Sequence, residues 1–320
     1  NKFNPDTDKI GFIEYPITIP TTDMFELELF QEKRPFKAEK PTQESNNKLF
    51  LGYEGDFKNT SITATYNNKE VPIKVVKFPE KNKDSVQIFY PNMKMDSIQI
   101  AVTNGQFSKS FSTKLKDLKE SDSLTIEKKT GGILAFRDSF VIKSKTPISA
   151  IDNSKITLRN KDSVVLNFTS KILDFEQEVA FDFKKEEDEK YTLEFLPGAI
   201  KDFYNKENDT LKYTVTTKQI ADYGNLKINL TNVKRFPFIV ELLDKDVVLY
   251  SAIATKQTSI YFETIEPRLY TLRIIFDDNA NNEWDTGDYL AKKQAEEIIY
   301  FPKLIDVRAN WDVEQDFILD

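Results

Sequence analysis

The stretch "YTLRIIF", residues 270–276, has the side-chain pattern of a β-strand. Apolar side chains at every second position flank Thr271 and Arg273, so an extended chain here has one apolar and one polar face. The apolar positions are Tyr270, Leu272, Ile274 and Phe276. Other short runs alternate in the same way, at 61–66, 96–102, 154–160, 162–168, 190–196 and 211–217. Polar turns separate them, and this spacing predicts an all-β chain of tandem β-sandwich modules.

Composition excludes several classes of function. The chain has 320 residues, enough for several modules that each bury a core, and its net charge of −7 offers no basic field for nucleic acid. Cysteine and histidine are both absent, which excludes disulfides, Cys-ligated zinc and any mechanism that uses an imidazole. We therefore expect a non-catalytic protein without a nucleic-acid partner. An enzyme built on two carboxylates at catalytic separation is the open alternative.

Charged and proline-containing stretches divide the chain into modules. Residues 31–47 carry two prolines and no apolar period, which predicts a linker. A β-sandwich domain is then expected over 48–120, with further modules over 121–218 and 219–320. Residues 1–30 share an order of features with the end of the chain. They are expected to be the C-terminal strands of a truncated module, so that the sequence starts inside a structural unit.

An acidic loop, "FDDNANNEWDTGDYL" at 276–290, is the main candidate site. Counting from its first Asp at 277, oxygen-bearing side chains occupy places 1, 3, 5, 7, 9 and 12, the spacing of an EF-hand-like calcium loop. The predicted Ca2+ ligands are Asp277, Asn279, Asn281, Glu283, Asp285 and Asp288. The alternative is an Asn/Asp-rich turn held by side-chain to backbone hydrogen bonds, with Trp284 as a buried plug. The turn alternative is favoured by Asn282 at the sixth place, where the motif has Gly, and by flanks that read as strands.

Two segments resemble an S-layer-type bacterial Ig-like domain: "FVIKSKTPISAIDNSKITL" (140–158) and "EKYTLEFLPGAIKDFYNKENDTLKYTVTTK" (189–218). Residues 219–320 resemble the prealbumin-like, or carboxypeptidase-regulatory-like, modules through "YTLRIIFDDNANNEWDTGDYL". The Pro-Gly usual in those modules is Pro267-Arg268 here, a departure in the hairpin. The combination resembles Ig-like-domain lipoproteins of the Bacteroidota outer membrane.

That resemblance implies a lipid anchor upstream of this chain and a location at the cell envelope, anchored to the outer membrane on a side that stays open. It further implies a scaffold subunit that binds other outer-membrane or cell-surface proteins, in an assembly for β-barrel insertion or secretion. The alternative is a carbohydrate-binding or adhesin-type surface receptor. Such a receptor would need exposed aromatic residues on one face, and the candidates are Tyr223, Tyr289, Tyr300 and Trp311.

Overall fold

The computed structural model describes residue 4 and residues 7–77, 84–174 and 176–319. The parts of the predicted modules that fall on other residues lie outside this description. The described residues form strands joined by turns, with short 3-10 helices at Asn153–Lys155 and Ile220–Asp222. The all-β prediction is confirmed. Within the described ranges, no helix is long and apolar enough to cross a bilayer.

The stretch 270–276 lies in the longest strand of the C-terminal module, Arg268–Phe276. Tyr270, Leu272 and Ile274 are fully buried on its inner face. On the outer face, Arg273 lies opposite Glu241 of the neighbouring strand and their side chains pair at 2.6 Å. The two-residue period therefore sets which face enters the core, because successive side chains point to opposite sides of a sheet.

The first sandwich packs two antiparallel sheets. One has the order β1-β3-β7-β6, with β2 also paired to β3, and the other has the order β5-β4-β8-β9. The strands are β1 (Lys37–Ala38), β2 (Thr42–Ser45), β3 (Lys48–Glu54), β4 (Ser61–Tyr66), β5 (Lys69–Val71), β6 (Lys74–Lys77), β7 (Ser85–Phe89), β8 (Ser97–Asn104) and β9 (Phe107–Lys114).

The second sandwich has sheets of order β10-β11-β16-β15 and β14-β13-β17-β19, plus the small pair β12-β18. Its strands are β10 (Ile126–Lys128), β11 (Phe140–Ser144), β12 (Ile148–Ile151), β13 (Ile156–Arg159), β14 (Val165–Leu166), β15 (Thr169–Ile172), β16 (Glu178–Asp182), β17 (Lys190–Phe195), β18 (Ile200–Asp202) and β19 (Leu211–Thr216).

The third sandwich has sheets of order β23-β20-β27 and β22-β21-β24-β25, with β26 also paired to β24. The β20–β27 ladder is parallel, and the ladders of the second sheet are antiparallel. The strands are β20 (Gly224–Thr231), β21 (Phe238–Asp244), β22 (Val247–Ala254), β23 (Ser259–Ile265), β24 (Arg268–Phe276), β25 (Ile298–Tyr300), β26 (Ile305–Val307) and β27 (Asp312–Ile318).

Each sandwich has its own apolar core, as the tandem-module prediction requires. Most of the largest fully buried side chains are distributed among the three cores: Leu49, Leu51 and Tyr90 in the first, Phe140, Phe181, Tyr191 and Phe195 in the second, and Phe238, Phe262, Tyr270 and Phe276 in the third.

Contacts group the chain into two compact units: a central unit, residues 34–218, and a C-terminal unit, residues 219–320 together with 1–33. The predicted linker at 31–47 differs from the structure, since β1 and β2 lie inside it and pair with β3. β1 and β2 are edge strands, and edge strands often carry polar side chains, so the composition of this segment resembles that of a linker. The described part of residues 1–30 also differs, because it contains a single Ile10–Phe30 bridge in place of the expected strands.

Candidate functional site

The acidic loop begins directly after β24, at the fully buried Asp277. One carboxylate oxygen of Asp277 accepts from the backbone N–H of Asn281 at 3.0 Å, and the other accepts from Asn282 at 2.8 Å. Asn282 has a φ of 64°, in the left-handed region that Asn tolerates better than most residues. The buried charge is thus satisfied by the loop backbone, and Asp277 fixes the turn.

Two amide side chains shape the middle of the loop. Asn279 Oδ1 accepts from the N–H of Asn281 at 3.0 Å, and Asn281 Oδ1 accepts from the N–H of Glu283 at 2.8 Å. The amide nitrogens of Asn279 and Asn281 both donate to Asp285 Oδ2 at 2.6 Å. The other Asp285 oxygen pairs with Lys33 Nζ at 2.8 Å. Asp285 is therefore neutralised by a lysine 252 positions away in sequence.

Glu296, which no sequence pattern marks, closes the loop from its far side. It is buried, and its two oxygens accept from the N–H groups of Asp278 at 2.9 Å and Asp285 at 2.8 Å. Its carbonyl accepts from Trp284 Nε1 at 2.9 Å. Burial raises the pKa of Glu296, and the carboxylates of Asp285 and Asp277 add to the rise against the two N–H donors. A single Glu beyond a turn gives no signal in the sequence that could have identified it.

The structure brings some of the six predicted ligands together and separates others. Asn279, Asn281 and Asp285 meet through hydrogen bonds, whereas Asp288 caps the N–H of Ala291 at 2.9 Å in the next turn. Among the described residues, no three Asp, Glu, His or Cys side chains cluster as a metal site would need. The contacts are those of the turn alternative, except that Trp284 is 39% exposed and is not the buried plug that this alternative expected. Calcium binding stays a prediction. The full set is Asp277, Asn279, Asn281, Glu283, Asp285 and Asp288.

Thermal unfolding can test whether the acidic loop binds Ca2+. If Ca2+ binds the folded loop, excess calcium raises the melting temperature of the C-terminal unit, since a ligand that binds only the folded state stabilises it. Binding would have to displace Lys33 from Asp285 and turn the Asn279 and Asn281 amide oxygens toward the ion. Lys33→Met should therefore increase the calcium response. Identical melting curves in chelator and in excess calcium, for both proteins, would show that no ion binds.

Acid should weaken the loop in a defined pH range. The Lys33 ammonium and then the two amides hold the pKa of Asp285 at about 2, below the ordinary 3.8. Because the folded pKa is depressed, the stability that Asp285 contributes is present above about pH 4 and is lost as pH falls through about 2. The difference in free energy of unfolding between the native chain and Asp285→Asn should shrink over that range. A difference that stays constant with pH would contradict the ion pair.

Residues 10–12 and 30–33 pack on the loop region 285–294; we call this set of contacts the clamp. Phe12 lies edge-on to Phe30 and to Tyr289, with ring centroids 6.1 and 5.6 Å apart. Phe30 is buried against Gly287, where an added Cβ would come within 2.6 Å of the ring. Gly287 thus leaves room for an aromatic ring from a distant part of the chain.

Polar contacts complete the clamp. Thr286 donates to the carbonyl of Gln31 at 2.6 Å, and the N–H of Tyr289 donates to Glu32 at 2.7 Å. Together with the Lys33 ion pair they fix consecutive residues 31–33 on the C-terminal unit. The acidic loop is therefore a docking platform for an N-terminal segment of the same chain.

Within the central unit, the segment between the two sandwiches is held by amide side chains. Gln43 accepts from the N–H of Lys116 at 2.8 Å and donates to the Lys116 carbonyl at 2.9 Å. Asn46 makes the same pair of bonds with Leu118, whose N–H lies 2.6 Å from Asn46 Oδ1. Each amide occupies both backbone groups of one residue, as a neighbouring strand would.

Asn47 makes a third pair of this kind, to Asp122, with bonds of 2.9 and 3.0 Å. Asn47 is buried, and so is Ser45, which donates to the Asp122 carboxylate at 2.6 Å. Lys48 Nζ lies 3.2 Å from the same carboxylate. We call the contacts of Gln43, Asn46 and Asn47 with 116–122 the pinned joint.

The second sandwich contacts the first directly at this point. The Tyr204 hydroxyl donates to the Asn47 carbonyl at 2.9 Å, and Lys74 pairs with Glu176 at 3.0 Å. Burial raises the pKa of Tyr204, and the Asp122 carboxylate adds to the rise, so the phenol remains a donor at neutral pH. The central unit is therefore one body made of two sandwiches.

A cleft of about 620 Å³ opens beside the pinned joint. Pro72, Pro91, Phe203 and Tyr204 give it an apolar lining. Among the described residues that line this cleft, Asp122 alone has a carboxylate. That carboxylate already accepts a hydrogen bond from Ser45 and pairs with Lys48. This cleft therefore does not present the two-carboxylate arrangement of an acid/base enzyme.

The aromatic residues considered for a carbohydrate receptor do not share one surface. Tyr223 is buried, and Tyr289 belongs to the clamp. Tyr300 lies on β25 and its hydroxyl accepts from Arg273 at 3.2 Å. Trp311 precedes β27, in the other sheet of the sandwich, with Arg308 5.4 Å from its ring.

No family model and no curated protein matches the chain. Among solved structures it is similar to an I-band fragment of titin, at 11% identity over 89% of this chain and 100% of that one, with a TM-score of 0.20. The tandem Ig repeats of Dlar give 14% identity over 57% and 98% of the two chains, and the Bacillus anthracis TIE protein gives 11% over 62% and 41%, both with a TM-score of 0.20. TM-scores of 0.20 indicate neither a relationship nor a shared function. The strand pairing itself defines the class, a tandem β-sandwich protein whose sheets resemble tandem Ig-like domains.

Proposed function

We propose that this chain is a non-catalytic scaffold that presents protein-binding surfaces at fixed positions. The observation that carries the proposal is the pinned joint, since three amide side chains convert a polar connection into an ordered one. Rigid sandwiches hold their loops and edge strands at set separations, and a partner can then contact several of them at once without an ordering penalty.

The proposed setting is a protein complex of the bacterial cell envelope, with the chain as part of a Bacteroidota outer-membrane lipoprotein. What supports this setting is the resemblance of residues 140–158 and 189–218 to S-layer-type Ig-like domains, and of 219–320 to prealbumin-like modules. The proposed partners are outer-membrane or cell-surface proteins of an assembly for β-barrel insertion or secretion. The receptor alternative has no single aromatic face to support it.

The test compares partner recovery with a rigid and a loosened joint. The full-length protein is purified from its own cells in mild detergent, and co-purifying proteins are quantified by mass spectrometry. The triple variant Gln43→Ala, Asn46→Ala, Asn47→Ala should lose envelope partners that the native protein and the exposed-site control Asn92→Ala retain. Equal recovery with all three proteins, or turnover of a small compound by the native chain, would refute the proposal.

A further inference from the structure

Between the two arms of the clamp, every residue from 14 to 29 is exposed to solvent. Soluble proteins seldom leave so many large apolar side chains together in water unless the surface binds something. Met24 is 98% exposed and Ile19 84%. The other exposed apolar side chains are Tyr15, Ile17, Phe25, Leu27 and Leu29.

The end of this segment has the side-chain pattern of a strand but no partner strand. In "FELEL", residues 25–29, Phe25, Leu27 and Leu29 alternate with two glutamates. Among the described residues, the backbone of 13–29 makes no hydrogen bond to any other segment; its one donor bond runs from Asp23 to Thr21 within it. A row of free N–H and C=O groups on an amphipathic segment is the arrangement that pairs with a sheet edge.

The clamp holds both ends of this segment in place. Ile10 and Phe30 exchange two backbone hydrogen bonds, of 2.8 and 2.9 Å, at its base. An added Cβ at Gly11 would come within 2.7 Å of the Glu28 carbonyl, so the two arms run close together. The segment is thus presented by the C-terminal unit, which lowers the entropy lost when it pairs with a partner.

Charge limits which sheet edge can fit. Residues 12–29 contain Glu14, Asp23, Glu26 and Glu28 and no lysine or arginine. Within the described part of the chain, none of these carboxylates forms an ion pair. Cross-strand pairs are stabilised by opposite charges and destabilised by like charges. An edge strand that alternates apolar residues with Lys or Arg matches both faces of 25–29.

We propose that residues 24–29 bind by adding a strand to the exposed sheet edge of a partner protein, whose edge strand alternates apolar and basic side chains. Strand addition at 24–29 specifies the chemistry of the partner. It rests on the proposed function only in that the chain is taken to be a binding protein. The segment lies in the C-terminal unit, so the proposal is independent of the pinned joint in the central unit.

The experiment uses the full chain and two synthetic ten-residue peptides. One alternates valine or isoleucine with lysine, and the other places glutamate at each lysine position. Fluorescence anisotropy should show at least about tenfold tighter binding of the lysine peptide, because each cross-strand charge pair changes from attractive to repulsive. Hydrogen exchange should show new protection at the amides of 24–29 with that peptide.

Charge-reversal variants make the test specific. Glu26→Lys with Glu28→Lys should invert the preference, so that the glutamate peptide binds more tightly. The matched control, Glu186→Lys with Glu187→Lys, makes the same change on an exposed loop of the second sandwich and should leave the preference unchanged. All four positions are exposed, so neither variant disturbs a core.

Several results would overturn the proposal. These are equal affinity for both peptides, no new protection at 24–29, or a control variant that inverts the preference as well. Sedimentation that shows a dimer dissolved by Glu26→Lys with Glu28→Lys would assign the segment to a second copy of this chain instead. If loosening the joint removes the partners but no peptide binds at 24–29, the chain is still a scaffold, and this segment is not its binding surface.

Discussion

Replacing Asp277 by alanine should lower the free energy of unfolding of the C-terminal unit by about 3 kcal/mol, because hydrogen bonds to a charged group contribute roughly 1.5–3 kcal/mol and their loss leaves two backbone N–H groups unsatisfied. Those groups belong to Asn281 and Asn282, and the carboxylate that they contact is fully buried. The expected fall in melting temperature is about 10 °C. Urea denaturation followed by tryptophan fluorescence measures the change.

Asp278→Ala is the matched control for this prediction. The substitution and the loop are the same, but Asp278 is 52% exposed and its carboxylate pairs with Arg235 at the surface. Exposed ion pairs contribute at most about 1 kcal/mol, so this variant should unfold nearly like the native chain. Equal destabilisation by the two substitutions would mean that Asp277 does not fix the turn.

The second large effect is expected at Asn47. Alanine there removes the acceptor for the Asp122 N–H and the donor to its carbonyl, and it leaves the buried Ser45 hydroxyl with one partner fewer. Unsatisfied buried polar groups cost about 1–3 kcal/mol each, and the central unit should lose about 3 kcal/mol of stability. Calorimetry should show the single unfolding transition of the two sandwiches split into two.

Asn92→Ala serves as the control at the same cleft. Asn92 is exposed and lines the cleft beside the joint, so its replacement should change stability by no more than about 0.5 kcal/mol. A split transition in this variant, or an unchanged one in Asn47→Ala, would contradict the role of the amide contacts.

Much of the fold could be predicted from local sequence. The stretch from Tyr270 to Ile274 alternates because one face of β24 enters the core and the other carries Arg273, which pairs with Glu241, and this period is visible without any distant contact. Ile275 departs from the pattern, since it is apolar and buried at a position of the polar face. The same holds for the runs at 61–66 and 190–196, which the structure places in strands at Ser61–Tyr66 and Lys190–Phe195. A two-residue period is a local property, so one sequence is enough to reveal it.

The joint could not be predicted in this way. The stretch 31–47 reads as a linker because it is charged, carries two prolines and has no apolar period, yet the amides of Gln43, Asn46 and Asn47 bind backbone groups of residues 116–122. Polarity alone does not distinguish a side chain that contacts water from one that contacts a distant backbone. The difference appears only when both segments are placed in space.

In the candidate site, too, the residues marked by a local pattern could be predicted and those contributed by distant parts of the chain could not. Asn279, Asn281 and Asp285 were identified by their spacing, and the structure brings them together. Lys33 and Glu296 complete the loop from elsewhere in the chain, and no local pattern marks either of them. The alternation at 25–29 has the pattern of a strand, but the structure forms no strand there, because the segment has no partner strand among the described residues.

If the two sandwiches of the central unit form one rigid body, the distance between them is fixed, and this distance can be measured. The chain has no cysteine, so Ser110→Cys and Lys212→Cys place one spin label on each sandwich at exposed strand positions. Pulsed electron spin resonance should give a single narrow distance distribution that broadens in Asn47→Ala. A broad distribution in the otherwise native chain would show that the two sandwiches do not form one rigid body.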